Sequence, residues 1–248
     1  MEYVKLALLF GVGITAGFIN VIAGGGSALT LPALIFLGLN SALANGTNRV
    51  AVFIQNISAV GSFRNEKFHE FKQSTLFSLF TLPGAVLGAL LSIRVSDVLF
   101  QRILAVVLVF IVFSMFFSYP QKNNRRDWGS RTNWLIYPAM VGAGFYGGFI
   151  QVGVGFVLMA ALYHLLRLSL VYVNMHKVFI IMVYTIPVLA VFAATGNIDW
   201  KCGIVLAAGN ALGGWWGARA TVRGGERVIR IILAVAILVM ALKLFGLF

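Results

Sequence analysis

At 248 residues, 60% hydrophobic and 10% charged, with a mean hydropathy of +0.94, the chain has too few polar side chains to cover a water-soluble core of that size, since soluble domains run at about 25% charged. Composition therefore points to an integral membrane protein, with the lipid bilayer as its surroundings. The net charge of +12 sits in short clusters between apolar stretches, which is a topology signal and excludes a soluble nucleic-acid module.

A bilayer core of about 30 Å needs about 20 apolar helical residues, so spans are sought in uncharged runs. In chain order these are Leu6–Ala23, a short piece Ser27–Leu39, Ala42–Phe63 with the single charge Arg49, Gln73–Ile93 and Ile103–Tyr119. After a polar stretch come Trp134–Ile150, a second short piece Gly153–Leu166, Val171–Thr195, Cys202–Ala218 and Val228–Leu247. The first run follows Glu2 and Lys5 and lacks a small-residue cleavage pattern, so it is expected to be a retained span and not a cleaved leader. The lone cysteine, Cys202, excludes a disulfide framework and a thiolate metal cage.

The two halves resemble one another. Gly17-Phe18-Ile19-Asn20, leading to Gly24-Gly25-Gly26, aligns with Gly144-Phe145-Tyr146-Gly147, leading to Gly153-Val154-Gly155. Asn45-Gly46-Thr47-Asn48-Arg49-Val50 aligns with Val173-Asn174-Met175-His176-Lys177-Val178, and Gly84 and Gly88 align with Gly209 and Gly213. The expected fold is thus an all-α polytopic membrane protein of two tandem repeats of about five helical elements, residues 1–120 and 134–248, joined by a polar cytoplasmic linker, 121–133. If every element crosses, the repeats are inverted. The loops Arg64–Lys72, Lys122–Arg131 and Arg219–Arg230, with three, four and four Lys or Arg, then share the cytoplasmic side. Re-entrant short pieces would instead give parallel repeats.

Chemistry is expected at the helix breaks. Three consecutive glycines, Gly24, Gly25 and Gly26, exceed what close packing needs and can unwind a helix. The second half breaks similarly at Gln151-Val152-Gly153-Val154-Gly155. Half-helices starting at Ser27 and near Gly155 would offer N–H donors and partial positive charge. The alternative is helix packing through small residues, as Gly84-x-x-x-Gly88 and Gly209-x-x-x-Gly213-x-x-x-Gly217 suggest. A cation within a span costs about 2.5–3.5 kcal/mol, yet Arg49 and Lys177 occupy matching positions with no acid nearby in sequence. Ringed by Asn45, Thr47, Asn48, Gln55 and Asn56 in one half and by Asn174, His176 and Tyr184 in the other, they suit a small oxyanion. The competing reading has them snorkelling or capping helix carbonyls. Asn20 and Gln151, beside the breaks, could meet substrate or a coupling ion, or bond freed backbone. His69 and His164 read as loop and interface residues. No His-Glu-x-x-His, nucleophile elbow or phosphate loop appears, so neither metal, cofactor nor enzymatic activity is expected, and any transport draws on a gradient or the membrane potential.

These motifs resemble the sulfite exporter TauE/SafE family of membrane permeases. The likeness rests on Gly17 to Gly26, Leu31-Pro32-Ala33-Leu34, Gly46-Thr47-Asn48-Arg49, Gly144 to Gly148 and Ala160-Ala161-Leu162, and spans essentially the whole chain. The resemblance implies a multi-pass inner-membrane carrier that exports small sulfur-containing anions such as sulfite and organosulfonates. The chain departs from the family where Asn20 and Gly147 replace a frequent Asp, and where Gln151-Val152-Gly153 replaces a frequent Gly-Pro-Gly. A secondary anion transporter is accordingly expected, with a homo-oligomer left open; the alternative is a membrane assembly or binding subunit that carries no solute.

Overall fold

The computed structural model describes residues 2–68, 70–115 and 133–244. His69 and most of the expected linker lie outside them. Every element among the described residues is an α-helix: α1 (Glu2–Ala23), α2 (Ser27–Phe36), α3 (Ser41–Asn65), α4 (Phe71–Ser92), α5 (Asp97–Met115), α6 (Ile136–Phe149), α7 (Val154–Leu166), α8 (Leu170–Ala194) and α9 (Trp200–Leu244). The expected elements map onto these in order. The last two merge into α9, which is interrupted at Gly225 (φ 58°, ψ −158°). Within a bilayer the backbone must satisfy itself, and helices do so.

Tyr3–Ala23, Phe71–Ser92 and Leu170–Ala194 are long and apolar enough to cross a membrane. Helices α2 and α7, of 10 and 13 residues, are about 15 and 20 Å long at 1.5 Å per residue. Neither reaches across a core of about 30 Å alone. Polarity is turned inside out relative to a soluble protein. Leu8, Phe36, Leu87, Val106, Ile186, Ile204 and Trp216 are exposed, whereas Asn45, Thr47, Asn48, Arg49, Gln55 and Asn56 of α3 are buried. Helix α3 can therefore be polar because its neighbours, and not lipid, surround it.

Glycine stripes set the helix pairs. Gly13 of α1 lies against Leu206 and Asn210, Gly17 against Asn210, and Gly217 against Phe18 and Val21. Positions rise together, so α1 and the first part of α9 run parallel. On the other side Gly84 faces Val141 and Phe145, and Gly88 faces Phe145 and Phe149, so α4 runs parallel to α6. The motifs Gly84-x-x-x-Gly88 and Gly209-x-x-x-Gly213 are thus packing stripes, each against a helix of the other half of the chain. Between these pairs α3 and α8 run antiparallel: Arg49 and Gly46 lie beside Phe192, while Ala59 and Phe63 cluster with Met175 and Val178.

Polar contacts mark the two ends. Asn40 caps α3 by accepting from the Leu43 amide at 2.8 Å. Asp97 accepts from the Ser41 amide (2.8 Å), and the Asp199 amide donates to Thr47 Oγ1 (2.9 Å). At the far end of α3, Glu66 pairs with Arg219 and Arg223 at 3.3 and 3.0 Å. Two of the three cation-rich loops therefore lie at one end of the molecule.

Candidate functional site

Both chain breaks occur where glycine takes a left-handed conformation. After α1, Gly24 has φ +89°, and before α7, Gly153 has φ +76°, values that L side chains resist. The breaks meet. A Cβ on Gly24 would lie 2.6 Å from the Gly155 carbonyl carbon, so the two backbones touch with no room for a side chain. The start of α2 and the start of α7 are thereby brought to one place.

A helix that stops inside a membrane leaves its last carbonyls without partners. On α6, Arg49 Nη1 donates to the Gly147 carbonyl (2.9 Å), Arg49 Nη2 to Gly148 (2.5 Å), and Asn45 Nδ2 to Phe149 (2.9 Å). On α1, Lys177 Nζ donates to the Asn20 carbonyl (3.2 Å) and to Val21 (2.7 Å), and Asn174 Nδ2 to Ile22 (3.0 Å). Three consecutive carbonyls at each break are taken by one cation and one asparagine from the other half. Lys177 also donates to Asn174 Oδ1 at 2.7 Å. Both cations are fully buried, about 12 and 10 Å along their helices at 1.5 Å per residue, so neither snorkels. Arg49 further stacks over the Phe192 ring, its Cζ 4.9 Å from the centroid. Among the described residues neither cation meets a carboxylate.

The other expected residues divide. Asn20 joins the α1 break: its Oδ1 accepts from the Gly26 amide (3.2 Å) and its Nδ2 donates to Gln55 Oε1 (3.2 Å). Asn48 accepts from Thr30 Oγ1 at 2.6 Å, linking α3 to α2. Gln151, Ser27 and Gly155 are buried at the breaks. Two residues point elsewhere. Thr47 holds the α8–α9 turn through the Asp199 amide, and His176 Nδ1 lies 2.7 Å from Ser74 Oγ on α4. Asn210, which donates to Gln55 Oε1 at 3.3 Å, was not anticipated; its signal was a lone amide within an otherwise apolar glycine-striped run.

The arrangement presents two buried cations, two helix starts and a set of neutral amides at the meeting of two broken helices, and paired broken helices are a recurring build of membrane carriers. Residues 9–244 match the family described as Sulfite exporter TauE/SafE, and the chain belongs to that family of membrane transporters. Among its relatives, a probable membrane transporter protein of Haemophilus influenzae is 30% identical over 241 residues, covering 96% of this chain and 94% of that protein. The probable membrane transporter protein YfcA of Escherichia coli is 31% identical, covering 96% and 89%. The probable membrane transporter protein YjnA of Bacillus subtilis is 26% identical, covering 94% and 95%. No solved structure matches the chain. The protein is thus a membrane transporter, and the alternative of a subunit that carries no solute gives way.

Proposed function

We propose that the chain is a secondary carrier that exports a small sulfur-containing oxyanion, sulfite or an organosulfonate, across the inner membrane. The observation that carries this reading is the pair of buried cations, Arg49 and Lys177, with helix carbonyls and, among the described residues, no carboxylate as partners. A helix C-terminus offers roughly half a negative charge, so each cation keeps roughly half a positive one and the pair together about one. A monoanion at the adjoining breaks, near Gly24–Ser27 and Gly153–Gly155, cancels that remainder. The sulfur chemistry is carried by the family's description and by the preference of amide and hydroxyl donors for oxyanions.

The same reading takes residues 1–120 and 134–248 as inverted repeats joined by a cytoplasmic linker, 121–133. Three observations support it: α3 and α8, which carry the matched cations, lie antiparallel; α1 pairs with α9 as α6 pairs with α4; and the carbonyls of Asn20, Val21 and Ile22 match those of Gly147, Gly148 and Phe149, each set held by the aligned cation and by an asparagine three or four residues before it. The Glu66 end, rich in Lys and Arg, then faces the cytoplasm. One repeat rocking against the other would expose the site alternately.

Thermal melting of purified protein against sulfite, sulfate, thiosulfate, sulfoacetate, taurine and sulfur-free anions tests the substrate class. Stabilisation by sulfite or a sulfonate is expected; stabilisation by a carboxylate alone or a cation alone would overturn the assignment.

A further inference from the structure

The two halves of the site are not equivalent. In the first, Asn20 fills the space beside its break: it caps the Gly26 amide and bonds to Gln55, which also accepts from Asn210. Lys177 spends its three hydrogens on Asn20 O, Val21 O and Asn174 Oδ1. Gln55 Nε2 and Asn210 Oδ1 are left over, with no charged donor to join them.

In the second half the position of Asn20 belongs to Gly147. A side chain there would begin 2.6 Å from the Tyr184 hydroxyl and 2.9 Å from Val154 Cγ2, on the first residue of α7. The hydroxyl and the start of α7 thus flank one point. Tyr184 is fully buried, and its hydroxyl has no hydrogen-bond partner among the described residues. The same holds for Arg49 Nε, on the guanidinium that grips Gly147 and Gly148, and for both Oε1 and Nε2 of Gln151, the buried residue between α6 and α7. A buried polar group left unbonded costs about 1–3 kcal/mol, and four such atoms, on two residues that meet at Gly147 and on one in the link that leads into α7, call for a ligand.

Resting on the carrier reading, we propose that the substrate sits off-centre, on the second-half break, between Arg49, Tyr184, Gln151 and the start of α7, and that it is a monoanion bearing a hydrogen-bond donor of its own. Arg49 Nε–H, the Tyr184 hydroxyl and the Gln151 amide N–H supply donors to oxyanion oxygens. Gln151 Oε1 can only accept, and whichever way the amide is turned it offers both an acceptor and a donor. A ligand that bonds this acceptor as well as the donors carries a hydrogen of its own. Two kinds of monoanion carry one: a singly protonated oxyanion such as hydrogensulfite, and a sulfonate with a hydroxyl on its carbon chain.

Calorimetric titration of the purified full chain separates these. Hydrogensulfite against methanesulfinate, on the acid side of neutrality, replaces the ligand's hydroxyl by a methyl; 2-hydroxyethanesulfonate against ethanesulfonate removes the hydroxyl from the chain. The donor-bearing member of at least one pair is expected to bind about tenfold tighter, the scale of one hydrogen bond to a charged group, and the winning pair identifies the source. Tyr184→Phe weakens that ligand by about tenfold. Gln151→Gly, which also relieves the positive φ of 57° there, removes the preference for the donor. Unchanged melting temperatures show that both variants fold. Equal affinities within both pairs, or variants with wild-type affinity and preference, would overturn the inference while leaving the carrier reading intact. Absence of binding and transport for every anion would overturn the carrier reading itself.

Discussion

Replacing Arg49 by methionine tests the cross-half clasp. The substitution keeps the apolar stem of the side chain, removes the guanidinium and its charge, and leaves the Gly147 and Gly148 carbonyls without their donors, at 2.9 and 2.5 Å in the wild type. Side-chain hydrogen bonds within membrane proteins average about 0.6 kcal/mol and reach about 1.7. Charge-assisted ones lie toward the upper end. The pair is therefore worth about 1–3 kcal/mol. Relief from burying a cation works against that loss, but removing one partner of a buried polar set leaves the other exposed to the full desolvation penalty. At about 2–4 °C per kcal/mol for a chain near this size, the melting temperature in detergent should fall by about 2–12 °C. Arg49→Lys should fall less, because Lys177 shows that one ammonium reaches two consecutive carbonyls. Asn45→Ala, which frees only the Phe149 carbonyl, should cost about 0.6–1.7 kcal/mol. If Arg49→Met melts at or above the wild-type temperature, the carbonyls do not depend on the guanidinium and the clasp has no energetic content.

Further outcomes follow from the same geometry. Gly24→Ala combines a left-handed φ of +89° with a Cβ 2.6 Å from the Gly155 carbonyl carbon, and should abolish accumulation of folded protein on size-exclusion chromatography, whereas Gly142→Ala, with nothing within 4 Å, should elute as the wild type. Gly209→Leu should separate α1 from α9 and lower the melting temperature sharply, since a side chain there would strike the backbone of Phe10 and Ile14. Glu66→Gln breaks only the half-exposed pairs with Arg219 and Arg223, and should shift stability by less than about 1 kcal/mol in a denaturation assay.

Reading the sequence located the elements and the breaks because composition alone governs them: apolar runs of 17 to 25 residues with at most two charges must be helical in a bilayer, and Gly24-Gly25-Gly26 has no place inside one. It found Arg49 and Lys177 because a cation in such a run has no ordinary explanation. What it missed was their partners. Backbone carbonyls carry no side-chain signature, and those of Gly147 and Val21 lie 98 and 156 residues from the cations that bind them. Of the two readings of these cations, the structure shows the contacts with helix carbonyls; the proposed anion would draw on the positive charge that those contacts leave. Thr47 and His176 shared the sequence neighbourhood but turn to other helix faces, because residues two and one positions from a cation lie well around a helix of 3.6 residues per turn.

The central claim, export of a small sulfur-containing monoanion, is tested most directly by efflux of labelled sulfite from proteoliposomes holding the purified protein. The account predicts saturable efflux well above that of protein-free liposomes, strongly reduced by Tyr184→Phe at subsaturating sulfite and insensitive to added nucleotide. Efflux equal to that of empty liposomes for sulfite and for every sulfonate, from protein that melts cooperatively, would contradict it.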